Sequence, residues 1–268
     1  IANPNAGLPK VVDGKTVFEV DATEFAKEME ELVKAGARVL GGCCGTTPEH
    51  IGEMIKAVSS MEPKVITQKE NTIISSYSKV VVFEDKPILI GERINPTGKS
   101  KFKQALREHD IDYILREGFA QEEKKVHVLD VNMGLPEIDE VAMLKEVVVK
   151  LQSVIDLPLQ IDTSDPVALE GALRLYNGKA LINSVNGKEE SMNSVFPLVK
   201  KYGGVVVALT LDESGIPETV EGRLLIADKI YKKAAEYGIS KKDIIVDVLT
   251  MSISTDGQAA NVTLDAVA

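Results

Sequence analysis

From Pro87 onward the chain alternates short apolar runs with helical stretches, and this alternation restricts the fold more than any other feature. The runs fall at residues 88–90, 126–131, 159–161, 180–182, 205–209 and 244–248. The gaps between them carry apolar residues at helical spacing, near 102–117, 139–155, 166–175, 189–202 and 219–237. Strands with consecutive apolar residues are buried on both faces, which calls for a parallel sheet covered by helices. Units of this length suit a (β/α)8 barrel better than a short open sheet. Six strands are expected over 86–268, so two strand–helix units of such a barrel are missing from the sequence.

Residues 1–60 read as a separate unit. A helix is expected over 23–35, where Phe25, Met29, Leu32 and Val33 share one face and Gly36 stops it. Residues 37–40 then form a short buried strand, and Thr47-Pro48-Glu49 opens a second helix with Thr as cap and Pro in the first turn. Residues 61–85 keep no period and are expected to link the two units, with 72–77 extended. The opening Ile1-Ala2-Asn3-Pro4-Asn5 reads as a strand end entering a turn and lacks the features of a leader, so a segment of a longer protein is expected. An open six-stranded sheet exposes two edges, and poor solubility is expected of this segment in isolation.

Several function classes fall away on composition. The chain carries 41 acidic against 31 basic residues, a net charge of -10, the wrong sign for a phosphate-backbone partner. No apolar run approaches the roughly 20 residues that span a bilayer. The two cysteines, Cys43 and Cys44, are adjacent, which excludes a disulfide framework and fits a reducing, cytoplasmic setting.

Nearly every apolar run of the second unit ends in a polar residue. These are Glu92 and Asn95, Asp130 and Asn132, Asp162, Asn183 and Asp247. In a barrel such ends converge on one mouth, where active sites sit. The set suits a polar heterocycle such as a pterin: a carboxylate matches two adjacent N–H donors, and Asn serves a ring nitrogen or carbonyl. Each residue taken singly also reads as the cap of a βα loop, and Asp165, before Pro166, is a better cap than Asp162.

In a regular strand Cys43 and Cys44 would point to opposite faces. The flanking Gly41, Gly42 and Gly45 permit an irregular backbone in which both thiolates converge on a soft or borderline cation, zinc first. Two buried, inert thiols are the plainer reading of a bare pair. A third ligand is needed, and no third cysteine exists in the chain.

GGCCGTTPEHI at 41–51, preceded by ANPNAGLP at 2–9, resembles the last two strand ends of the homocysteine-methyltransferase barrel. IGERINPTGKS at 90–100, LDVNMG at 129–134, IDTSDP at 161–166 and INSVNG at 182–187 resemble the pterin-binding methyltransferases. The order of the two barrels is that of the cobalamin-dependent methionine synthase family. The resemblance covers nearly the whole chain and implies an α/β fold of two (β/α)8 TIM-type barrels, both incomplete. It implies zinc held by Cys43, Cys44 and a cysteine upstream of this segment. Asn5 would serve as a substitutable fourth ligand, although Asn-Pro-Asn-Ala-Gly is also strong turn chemistry. Backbone N–H groups of Thr46 and Thr47 would bind the carboxylate of homocysteine. On the folate side, Asp162, Asn183 and Asp247 would hold the pterin of 5-methyltetrahydrofolate, with contacts from Asn95, Gly98, Lys99 and Ser100. Glu92, Asp130 and Asn132 would form a secondary pocket.

The activity implied is methyl transfer from 5-methyltetrahydrofolate through cobalamin to zinc-bound homocysteine. No corrinoid-ligating motif is present, so cobalamin would be carried by another domain of the same polypeptide or by a partner. Lys124-Lys125-Val126-His127 departs from the small Gly-Ala pair usual before the second strand, and His127 reads as structural. His50 and His109 read as surface helix positions. A dihydropteroate synthase would share the pterin barrel but not the GGCC unit, and its first loop differs from INPTGKS. A non-catalytic folate-binding or corrinoid-docking module is the rival from a different class.

Overall fold

A computed structural model describes every residue except 66, 68, 85, 252–256 and 258. The chain divides into two compact units, Ile1–Lys69 and Glu70–Ala268.

In the first unit, strands β1 (Lys10–Val12) and β2 (Lys15–Val17) form an exposed hairpin turned by Asp13-Gly14. Helix α1 (Ala22–Ala35) is capped by Asp21, whose carboxylate accepts from the N–H groups of Thr23 and Glu24, and ends at Gly36 in the left-handed region. Helix α2 (Pro48–Val58) packs on α1 through a small core of Phe25, Met29 and Met54. The strand expected over 37–40 is reduced to one parallel bridge, Ala2 to Leu40, and Val39 is exposed. The same bridge realises the strand end expected at the start of the chain.

The second unit begins with a hairpin, β3 (Thr72–Ser75) and β4 (Val80–Phe83). The linker expected over 61–85 is corrected here, because residues from Glu70 belong to the second unit. The reason is burial: Ile74 is fully enclosed and clusters with Val128, Leu181 and Val205. The hairpin is held by paired bonds between Ser75 and Lys179 (2.9 and 3.0 Å). Gly178 allows this approach, since a Cβ there would come within 2.2 Å of the Ser75 carbonyl oxygen.

There follow β5 (Ile90–Ile94), α3 (Ser100–Arg107), α4 (Ile111–Glu123), β6 (Val128–Val131), α5 (Glu140–Val154), β7 (Leu159–Asp162), α6 (Pro166–Leu175), β8 (Leu181–Asn186), α7 (Glu189–Tyr202), β9 (Val205–Leu209), α8 (Val220–Glu236), β10 (Ile244–Asp247) and α9 (Ala259–Val267). Strands β5 to β10 form one parallel sheet in sequential order, with β5 and β10 at its edges. The fold is therefore an incomplete TIM-barrel-like α/β structure with six of the eight staves. The single helix expected over 102–117 is two helices, broken at His109 (φ 55°), where Asp110 caps α4 by accepting from Tyr113 N–H.

Alternation along the strands separates two environments. Leu129, Val131, Leu159, Ile161, Ile182 and Val206 pack under the helices in the main core. The opposite parity lines the barrel interior, apolar at its floor (Val128, Leu181, Val205, with Ile74 from the hairpin) and polar above. Tyr176 ties floor to hairpin, accepting from Leu159 N–H (3.0 Å) and donating to Ser75 O (2.9 Å). Tyr176→Phe strands the buried Leu159 N–H, while Ser75 O keeps the bond from Lys179 N–H, so we expect a loss of about 1–3 kcal/mol of stability, read as a lower urea midpoint with unchanged slope. A midpoint equal to that of the wild type would show the hairpin to be held by apolar contact alone.

Candidate functional site

The inner parity carries the polar residues upward from the floor. Asp130 lies across from Gln160, and Gln160 from Leu181; one step of the pleat higher, Asp162 lies across from Asn183. Two hydrogen bonds fix this layer: Gln160 Nε2 donates to Asp130 Oδ1 (2.5 Å), and Asn132 Nδ2 donates to Asp162 Oδ2 (2.8 Å). Thr163 Oγ1 donates to the Glu140 carboxylate beside Asp162. Asp162 and Asn183 line a cleft of about 340 Å³ that continues past Ser164 and Ser191 to Lys188.

Asp130 is the unusual group. It is 1% exposed, and its Oδ2 has no hydrogen-bond partner. Burial, then the charges of Asp162 and Glu92, push its carboxyl up to about 7, against hydrogen bonds from Gln160 and Asn95. Asp162 is also raised, by burial first and by Glu92 and Glu140, against the bond from Asn132. The mouth therefore holds a cluster of acids that resist simultaneous ionisation.

The other expected residues are distributed less tightly. Asn95 is buried, and its Oδ1 accepts from Thr97 N–H (2.8 Å), so its side chain shapes the loop. Glu92 is exposed; Lys99 Nζ donates to its carbonyl (2.9 Å) and lies 3.8 Å from its carboxylate. Gly98, Lys99 and Ser100 line a different cleft of about 310 Å³, with Arg93 and Tyr113. Asp247 sits on edge strand β10, two strands from Asn183, exposed, with Oδ1 accepting from Leu249 N–H (2.8 Å). Sequence reasoning missed Gln160, whose signal was an amide two residues before Asp162 within an apolar strand.

In the first unit both cysteines are exposed, which removes the buried, inert reading. Their sulfurs are 3.8 Å apart. Tetrahedral zinc with Zn–S bonds of about 2.3 Å sets two sulfurs about 3.8 Å apart, so the pair fits two ligand positions. Gly45 (φ 82°) provides the turn, and Thr46 Oγ1 donates to Cys43 O (2.6 Å). A hydrogen bond donated to Cys43, and then the charge of Cys43, raise the Cys44 thiol. No group of three or more metal-binding side chains is found among the described residues.

Two expectations are corrected, and a third gains a structural role. Asn5 Oδ1 accepts from Cys44 N–H (3.1 Å), which ties its amide to the thiol loop and leaves the oxygen a second lone pair for the ligand role expected of it. Thr46 N–H is taken by Cys43 O (3.2 Å) and Thr47 N–H by His50 Nδ1 (3.3 Å), so neither is free for a carboxylate. His50 is no simple surface residue: its Nε2 lies 3.0 Å from Val20 O and its ring meets Phe25 edge-on. His127 is structural as expected, with Nδ1 accepting from Leu89 N–H (2.9 Å), while His109 pairs with Glu146 in the helix break.

Comparison with known proteins bears on both units. The sequence model described as "Pterin binding enzyme" matches residues 91–267. The chain belongs to the pterin-binding enzyme family. Residues 1–58 match the model described as "Homocysteine S-methyltransferase". Methionine synthases of Mycobacterium leprae and Mycobacterium tuberculosis are each 31% identical, over 94% of this chain and 22% of their own length. The chain thus spans about a fifth of these curated relatives. Among solved structures, a dihydropteroate synthase from Xanthomonas albilineans with 4-aminobenzoic acid aligns at TM-score 0.56 and 18% identity, covering 70% of each chain. One from Burkholderia cenocepacia aligns at 0.53 and 20% identity, covering 74% of this chain and 70% of that one. These two structures share the fold of the second unit's parallel sheet and helices. No helix among the described residues is long and apolar enough to cross a membrane.

The raised Asp130 carboxyl has a thermodynamic consequence. The folded chain keeps this proton from the unfolded value near 3.8 up to about 7, so its stabilising contribution is full below about pH 4 and is lost as pH rises to about 7. We expect Asp130→Asn to gain stability relative to the wild type across that window, by up to about 4 kcal/mol, and to hold a constant difference above it. Melting curves at pH 4, 5.5, 7 and 8.5 check this. Parallel losses in both proteins would mean that Asp130 is ionised throughout.

Proposed function

We propose that the chain serves folate-dependent methylation of homocysteine, with 5-methyltetrahydrofolate as methyl donor bound by the second unit and homocysteine by the first. The observation that carries the folate side is the polar layer Asn132–Asp162–Asn183 above the buried Asp130, all on the inner parity of adjacent strands. A pterin presents adjacent ring N–H donors that a carboxylate at Asp162 would accept in pairs, and Asn183 offers donor and acceptor to the ring edge. Asp130, its carboxyl pushed up to about 7 chiefly by burial, would supply an acid beneath this layer that keeps its proton to higher pH than an exposed carboxyl. Asp247 would close the ring's exposed side from β10.

On the homocysteine side, Cys43 and Cys44 would hold zinc with a ligand from outside this chain. Zinc supplies Lewis acidity that lowers the pKa of a bound thiol, giving a thiolate nucleophile at neutral pH. This chain's residues fix the two sulfurs: Asn5 holds the Cys44 amide, Thr46 the Cys43 carbonyl, and His50 the start of α2. Exposed thiols of this kind need a reducing compartment, the cytoplasm in this reading. Each of the three imidazoles, His50, His109 and His127, is engaged within the fold, which supports a cobalamin carried by another domain or a partner. That domain or partner would bring the corrinoid to the folate site as the methyl acceptor.

Two experiments on the full-length protein test this reading. With free cob(I)alamin as acceptor, Asp162→Ala or Asn183→Ala should reduce kcat/KM for 5-methyltetrahydrofolate by about 10²-fold, while the melting temperature stays near that of the wild type. Unchanged kinetics would sink the pocket assignment, and no transfer by the wild type would leave a binding module. Cys43→Ser or Cys44→Ser should remove bound zinc, measured by atomic absorption, and abolish homocysteine methylation while sparing transfer from folate. Zinc content equal to that of the wild type would exclude the thiols as ligands.

A further inference from the structure

Arg223, in the first turns of α8, is 2% exposed and forms no ion pair among the described residues. A buried guanidinium without a carboxylate is costly unless its donors are matched, and here the acceptors are loop carbonyls. Its Nε donates to Pro217 O (3.1 Å), in the loop after β9. Its Nη1 faces Val248 O and Leu249 O (both 2.8 Å) and Thr263 Oγ1 of α9 (3.1 Å). Leu249 is held at φ 61°, a region that L side chains with a Cβ disfavour, so the loop needs external support there. Leu249 N–H is also the donor bonded to Asp247 Oδ1, which sets the carboxylate's direction.

We propose that Arg223 is a positioning residue for the pterin site: by gripping the carbonyls of Val248 and Leu249 it aims Asp247 at the barrel mouth. The inference rests on the reading of Asp247 as a pterin ligand. Lysine cannot replace Arg223, because a single ammonium lacks the planar fork that reaches carbonyls of two loops at once.

The test uses the full-length protein with 5-methyltetrahydrofolate and free cob(I)alamin, comparing wild type, R223K, T263V, D247A and R223K/D247A. If Arg223 acts through Asp247, R223K raises KM about tenfold with kcat within about twofold, and adds nothing once Asp247 is Ala. T263V, a milder loosening of the same loop, raises KM about threefold. The proposal is overturned if R223K lowers the melting temperature but leaves KM unchanged, or if its penalty persists in full in the D247A background. Should R223K not fold, an unchanged KM in T263V overturns it alone. A wild-type KM in D247A marks a different failure, that of the Asp247 assignment itself.

Discussion

The second unit depends on strand parity. In a parallel sheet wrapped toward a barrel, every second side chain enters the interior, and a narrow interior must be packed or solvated along its whole depth. Here it is packed at one end and polar at the other. Ile74 from the preceding hairpin joins Val128, Leu181 and Val205 to seal the floor; Asp130 and Gln160 lie buried above it, and Asp162 and Asn183, one pleat higher, line the cleft. Burial above this floor is the first cause of the raised Asp130 carboxyl.

The two units set up opposite chemistries. The thiols of the first are exposed on a loop whose backbone is tied down by Asn5, Thr46 and His50, an arrangement suited to a charged centre open to solvent. The acids of the second are crowded and partly buried, which raises the Asp130 and Asp162 carboxyls above their ordinary range. The proposed function needs both environments: hydrogen bonds that ease transfer of a methyl group from its donor, and an open centre where a thiol can attack as thiolate.

The repeating strand–helix pattern exposed the fold of the second unit to sequence reasoning, because double burial makes each parallel strand a continuous apolar run. The polar strand ends were legible for the same reason, as interruptions of those runs. What escaped notice depended on contacts distant in sequence. The hairpin at 72–83 reads as a linker until Ile74 is seen to meet residues more than fifty positions away. The break at His109 left a local mark in Asp110, a capping residue inside an otherwise periodic stretch. Arg223 left none, since an arginine near a helix start looks solvated until its carbonyl partners are known. Thr46 and Thr47 misled because a helix start advertises free N–H groups, and here local acceptors had already taken them.

The central claim is that neighbouring strand tips, sealed from below, form a seat for a pterin ring. A crystal structure of the full-length protein with 5-methyltetrahydrofolate tests it most directly. The pterin edge should lie against Asp162 and Asn183, with Asp247 at its outer side and Asp130 beneath. A ring bound elsewhere, with these side chains still bonded only to one another, would contradict it.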